Sequence, residues 1–220
     1  MLNKGIWTST ANKYFHSTQA AGINHTSVLV SVDIPMLQDT YLDFGAPTSN
    51  FDTSTQLNIG SSPAGTNPYR TWIKPDFSSI PSGIVFQSAI FYITPIGDAS
   101  SNARTMDARR CLRVVVSNQA TWNVFSTGNN WGTAGCSNST TDYDGAVAIG
   151  TMTQPASPTL NVPLQMTMTA SELQKLYDGT YANNGIILFV DVQNADGIPY
   201  ASTDNATSAY RPFITVTYWN

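Results

Sequence analysis

Charge is what this chain has least of. Of its 220 residues only 11% are Asp, Glu, Lys or Arg, against about a quarter in an ordinary soluble domain. There are two histidines, His16 and His25, and Glu172 is the single glutamate. Acid–base chemistry draws mainly on these residue types, so little material for a catalytic centre is present. A glycosidase needs two carboxylates flanking one bond. The aspartates are numerous, but they sit in turn-like contexts. No G-x-S-x-G, HExxH or phosphate-loop pattern occurs. A non-catalytic role is expected.

Positive charge is short as well. The formal net charge is −4, and nucleic-acid affinity rests on Lys and Arg neutralising phosphates. No nucleic-acid partner is expected. Arg104, Arg109, Arg110 and Arg113 do cluster; they read as an exposed strand entry whose stems cover apolar surface. No apolar run approaches the ~18 residues of a membrane helix, so no membrane partner is expected. The stretch MLNKGIWTSTANKYF lacks the apolar core of a secretory signal. Either a signal was removed or the chain is made and assembled in the cytosol, and the leading Met1 favours the second. Cysteine is limited to Cys111 and Cys136, without metal-ligand spacing. Two free thiols are expected, with a disulfide as the alternative.

Hydrophobic residues make up 41% of the chain and aromatics 11%, enough for a core. Solubility then falls to Ser, Thr, Asn and Gln, a balance common in extracellular and virion β-proteins. Alternation begins at Val28: Val28, Val30, Val32 and Ile34 share one strand face, opposite Leu29, Ser31 and Asp33. Further strands are expected at 40–44, 56–59, 69–77, 84–94, 110–117, 146–152, 159–168, 185–192 and 212–219. Pro75 marks an edge or bulge. One short helix is expected after Thr169, where Thr169 and Glu172 fit a capping box. Leu173 and Leu176 form its apolar stripe, and Asp178-Gly179 ends it. Many strands, one helix and no βαβ rhythm indicate an all-β antiparallel sandwich. Residues 1–27 show no period and read as an extended N-terminal arm, leaving 28–220 as one domain.

Segment 120–145, ATWNVFSTGNNWGTAGCSNSTTDYDG, holds Trp122, Trp131 and Cys136 but no His, Lys, Arg or Glu. Trp122 follows a strand and reads as core. Trp131 lies among Gly and Asn and reads as a surface aromatic, able to stack on a sugar beside Asn129, Asn130 and Tyr143; burial in the core is the other reading. Asp142 and Asp144 alternate before Gly145. Such a pair suits Ca²⁺ or Asx-turn chemistry, and the turn is preferred. His16 and His25 have no partners that the sequence places beside them.

The order of several segments is similar to that of the DNRLRE family of carbohydrate-binding-like jelly-roll modules. The residues that carry it are Asp39-Thr-Tyr-Leu-Asp43, Leu57-Asn-Ile-Gly60, Arg70-Thr-Trp-Ile-Lys-Pro-Asp-Phe77, Ile80-Pro-Ser-Gly83 and Ala89-Ile-Phe-Tyr92. Thr121-Trp122, Gly128-Asn-Asn-Trp131-Gly-Thr-Ala-Gly135, Asn184-Gly-Ile-Ile-Leu188 and Arg211-Pro-Phe-Ile-Thr-Val-Thr-Tyr218 complete the series. The likeness spans residues 39–218 and is most specific around Trp122–Trp131 and in the final strand. It implies a jelly-roll β-sandwich. Family members occur in secreted bacterial and archaeal proteins and in phage virion proteins. The arm lies outside the match, which favours the virion context. The expectation is a structural subunit of a tailed phage: a capsid decoration, cement or fibre-like protein. Its partners would be capsid or other virion proteins and sister subunits. Trp7, Tyr14 and Phe15 would anchor the arm, because interface energy concentrates in buried aromatics. The alternative is an extracellular module that binds a surface polysaccharide.

Overall fold

The longest strand sets the architecture. In the computed structural model, which describes residues 15–17, 26–62, 65–97, 102–190 and 197–220, strand β2 runs over Thr26–Asp43. Strand β1 is Phe15–Ser17. The first half of β2 obeys the alternation of its valines. Ile34 and Met36 are buried, Val30 and Val32 pack against the same core, and Ser31 and Asp33 face out. A bulge at Met36–Gln38 then inserts one residue. Leu37 and Gln38 are exposed, and beyond them the odd positions turn inward: Asp39 and Tyr41 are buried on the core side. A one-residue insertion reverses which face every later side chain occupies.

The remaining strands among the described residues are β3 (Gln56–Ser61), β4 (Pro68–Pro75), β5 (Phe86–Ile93), β6 (Arg104–Cys111), β7 (Val124–Ser126) and β8 (Asn129–Asn130). After them come β9 (Tyr143–Gln154), β10 (Leu164–Met168), β11 (Ile186–Val190), β12 (Ile198–Ala201) and β13 (Phe213–Trp219). Eight of them close a ring in the order β2, β13, β5, β10, β9, β6, β11, β4 and back to β2. The bulge makes closure possible: β2 pairs with β13 through residues 29–35 and with β4 through residues 36–43. The domain is therefore all-β, a closed antiparallel barrel. β3 and β12 extend the wall beyond β4, and β1 pairs with the start of β2.

The barrel interior holds the main core, including Ile34, Ile73, Phe91, Met106, Met166, Leu188 and Val216. One short helix, α1 (Ala170–Tyr177), closes part of it with Leu173 and Leu176. Thr169 is its N-cap residue but makes no side-chain capping bond. Glu172 pairs with Lys175 at 2.7 Å, so the expected reciprocal capping box does not form. The helix stops where Gly179 takes φ +80°, a conformation that costs glycine nothing.

Several expected strands differ in their bounds: the run expected at 40–44 is the second half of β2, and that at 159–168 is strand only over Leu164–Met168. The β4 strand ends at Pro75, and the Asp76 amide turns back to the Pro35 carbonyl at 2.9 Å. The strand expected at 110–117 lies instead at Arg104–Cys111. Its inward residues are Met106 and Ala108, and its charges had masked the alternation. Residues 112–117 are rich in valine but pair with no sheet. Val115 is buried, whereas Val114 and Val116 are exposed.

A second core lies on the outside of the barrel. Leu42, Trp72 and Ile187 alternate with the inward Tyr41, Ile73, Ile186 and Leu188, so they point away from the main core. Each is nonetheless at most 1% exposed. The connection 112–142 covers them with Val115, Ala120, Trp122, Trp131 and Cys136. A fully buried Leu42 or Ile187 side chain contributes roughly 1.5–3 kcal/mol by leaving water.

Candidate functional site: the 112–142 excursion

The excursion begins where β6 ends and returns at β9, yet it reaches the opposite end of the wall. There the Asn50 side-chain amide donates to the Ser117 and Ala120 carbonyls at 2.6 and 2.7 Å. The Asn123 amide meets the Pro47 carbonyl, and Phe44 stands edge-on to Trp122 at 5.5 Å. Arg70, on the outer face of β4, donates to the Cys136 carbonyl at 2.7 Å and lies over Phe189.

Asp142 fastens the return. Its side chain is fully buried. Its Oδ1 accepts the Gly132 amide at 2.7 Å and Arg113 Nε at 3.2 Å; its Oδ2 accepts the amides of Thr133 and Asn138 at 3.0 and 3.1 Å. Burial pushes this carboxyl up, but the three amides and the guanidinium outweigh it and hold it below its ordinary value. Asp144 is tied in the same way, to Arg110 at 2.9 Å and to the amides of Ala146 and Val147 at 3.1 and 3.3 Å. The Arg110 bond leads in lowering its carboxyl. Both carboxylates are thus engaged by internal donors, and the bond to Ala146 is an Asx-turn contact. The Ca²⁺ site considered for Asp142 and Asp144 has no free ligand set. Among the described residues no cluster of three or more His, Cys, Asp or Glu could hold a metal ion.

The same knot corrects the reading of Trp131. By anchoring Gly132 and Thr133 it draws the neighbouring indole inward. Trp131 is 5% exposed, its Nε1 donates to the Thr121 carbonyl at 2.9 Å, and Phe125 packs on it at 5.5 Å. It is a core residue rather than an exposed stacking platform, as is Trp122. Asn129 and Asn130 are exposed on the β7–β8 hairpin. Asn130, Asn123, Thr133 and the Trp131 edge line an open depression of about 370 Å³. Tyr143 is not part of it, being half-buried against Phe189 at 5.2 Å. A second depression, about 480 Å³, lies between α1 and the 80–85 loop, with Ile80, Val85, Gln174 and Tyr177 in its wall.

Of the expected arm anchors, Trp7 and Tyr14 lie outside the described residues, as does His25. Phe15 and His16 are in β1, opposite Val28 and Ser27. Sequence reasoning missed Asp39 and Arg70, and it held the approach of the two cysteines only as an alternative. For Asp39 no signal exists without the bulge, because its parity in β2 points it outward.

Gly135 shows how tightly the excursion is fitted. It has φ +75°, and a Cβ there would run into the Trp122 indole. Gly135→Ala is expected to cost about 2 kcal/mol, read as a lower urea midpoint, with the barrel strands retained by circular dichroism.

These features define a class, an all-β barrel domain whose outer wall is sealed by a long internal loop. No protein-family model matches the chain, and no curated protein matches it significantly. Among the described residues no helix is long and apolar enough to cross a membrane.

Proposed function

We propose that this chain is a non-catalytic structural subunit of a tailed-phage virion. It is a DNRLRE-like jelly-roll protein of the decoration, cement or fibre type, assembled in the host cytoplasm onto capsid or other virion proteins and sister copies. Strand order supports the jelly-roll part. With the eight ring strands numbered in chain order, neighbours run one, eight, three, six, five, four, seven, two. That is the pairing of a jelly roll, an architecture shared by capsid and lectin domains.

The observation that carries the assembly reading is β1. It adds to β2 on the edge opposite β13, with Phe15 across from Val28. A strand added at a sheet edge serves equally when a neighbouring copy supplies it. Exposed Phe44 and Val114, at 50% and 70%, offer apolar contact of the kind found at interface centres. Cross-linking of mixed isotope-labelled chains through primary amines tests this. Links from Lys4 or Lys13 to a differently labelled copy are expected. Links confined to one copy would refute arm exchange.

The second reading is a carbohydrate-binding module in an extracellular setting, favoured by the amide-lined depression at Asn123 and Asn130. It requires glycan-array binding that Asn130→Ala abolishes while stability stays within about 0.5 kcal/mol of the parent.

A further inference from the structure

Cys111 and Cys136 are separated along the chain but not in space. Cys111 closes β6, and Cys136 sits in the turn of the excursion that lies on it. Cys111 is 1% exposed and Cys136 fully buried. Both thiols are directed at one oxygen, the Asp142 carbonyl, at 3.5 Å from Cys111 Sγ and 3.9 Å from Cys136 Sγ. Both belong to the same buried cluster on the outer face of the barrel.

The backbone at Cys136 is unusual. It has φ 55°, directly after Gly135 at φ +75°. A side chain other than Gly, Asn or Asp rarely occupies this region. Here the conformation is held from several sides. Arg70 binds the Cys136 carbonyl, the Gly135 amide donates to the Trp122 carbonyl at 2.6 Å, and the Ser137 amide donates to Thr133 at 3.0 Å. Strain of this sort persists only where the surroundings enforce it. What it achieves is to bring the Cys136 thiol to the same carbonyl that the Cys111 thiol meets.

We propose that Cys111 and Cys136 form a latent intrachain cross-link, dithiol in a reducing compartment and disulfide once the protein meets an oxidising one. The oxidant is a low-molecular-weight disulfide. One cysteine thiolate attacks it, forming a mixed disulfide and releasing one small thiol. The second cysteine sulfur then displaces the other small thiol and closes the S–S bond. The two cysteine protons pass to the two released thiols, the protein is oxidised by two electrons, and the small disulfide is reduced. Closure ties the end of β6 to the excursion. It restricts the unfolded chain and resists lifting of the loop from Trp72 and Ile187. Burial pushes the Cys136 thiol up, with Cys111 adding and Arg70 opposing. The reactive thiolate is therefore scarce in the closed fold, and exchange awaits brief opening of the excursion.

The test uses the intact folded chain incubated with oxidised glutathione. Free thiols are counted, mass is measured without reduction, and urea midpoints are compared before and after. The expected result is loss of both free thiols, a mass lower by two hydrogens, a peptide pair joining Cys111 to Cys136, and a higher midpoint that dithiothreitol reverses. Cys136→Ser treated identically should hold one glutathione adduct and gain no stability. The proposal is overturned if both thiols stay free after exchange in mild urea. It is equally overturned if each carries its own glutathione, or if the joined form has a lower midpoint than the dithiol.

Discussion

Asp142→Ala is expected to lower the stability of the domain by about 3 kcal/mol, because three backbone amides and the Arg113 guanidinium lose a fully buried acceptor. Five donors converge on this carboxylate, the Thr141 hydroxyl at 3.5 Å among them. Three are backbone amides, two from the adjacent Gly132 and Thr133 and one from Asn138, so one side chain organises a loop with little secondary structure of its own. Without it, Gly132, Thr133 and Asn138 return to water and Trp131 loses the anchor beside it. The loss should concentrate locally. Proteolysis within 123–141 should accelerate well before the barrel unfolds. Acid should mimic the substitution. The folded carboxyl is held below its ordinary value of 3.8, so its contribution is complete above that pH. It fades as the pH falls through the folded value. Urea midpoints of the parent and the variant are therefore expected to converge in acid. Equal protease rates at neutral pH would contradict this role for Asp142.

The second large effect has the opposite sign. Asp39 is 2% exposed, its Oδ2 accepts the Thr203 amide at 2.7 Å, and its buried Oδ1 has no hydrogen-bond partner within the protein. Burial pushes its carboxyl from 3.8 to about 7; the Thr203 bonds lower it, and Asp204 and Asp52 raise it. In the window from 3.8 to about 7 the unfolded chain has released a proton that the folded chain keeps. Stability thus falls as pH rises, by at most about 1.4 kcal/mol per unit. Asp39→Asn does not titrate. Relative to the parent it should gain about 4 kcal/mol between about pH 4 and about pH 8. Urea unfolding of both proteins across that range measures the difference. A constant offset would show that Asp39 ionises normally in the fold.

Much of the barrel was legible in the sequence because strands such as the first half of β2 and β13 bury one face and leave the other partly exposed. Val30, Val32, Ile34 and the final Ile214-Thr-Val216-Thr-Tyr218 alternate over enough residues to declare themselves. The excursion was not legible, for a physical reason. Its apolar residues have no period, since they pack on the outer face of strands distant in sequence, around Leu42, Trp72 and Ile187. Trp131 was misplaced because Gly and Asn neighbours usually signal a surface turn, whereas here Asp142 pins them over a second core. The inward turn of Asp39 depends on the bulge at Met36–Gln38, which pairing with β4 creates. Glu172 fits a capping box in sequence, yet Lys175 one turn later competes for its carboxylate and prevails.

The arm as an assembly device is the central claim, and solution mass by light scattering tests it most directly, on the full chain and on a chain lacking residues 1–27. The account predicts that the full chain self-associates and that the shortened chain is a folded monomer. Two compact monomers would contradict it, and glycan binding would then become the leading reading.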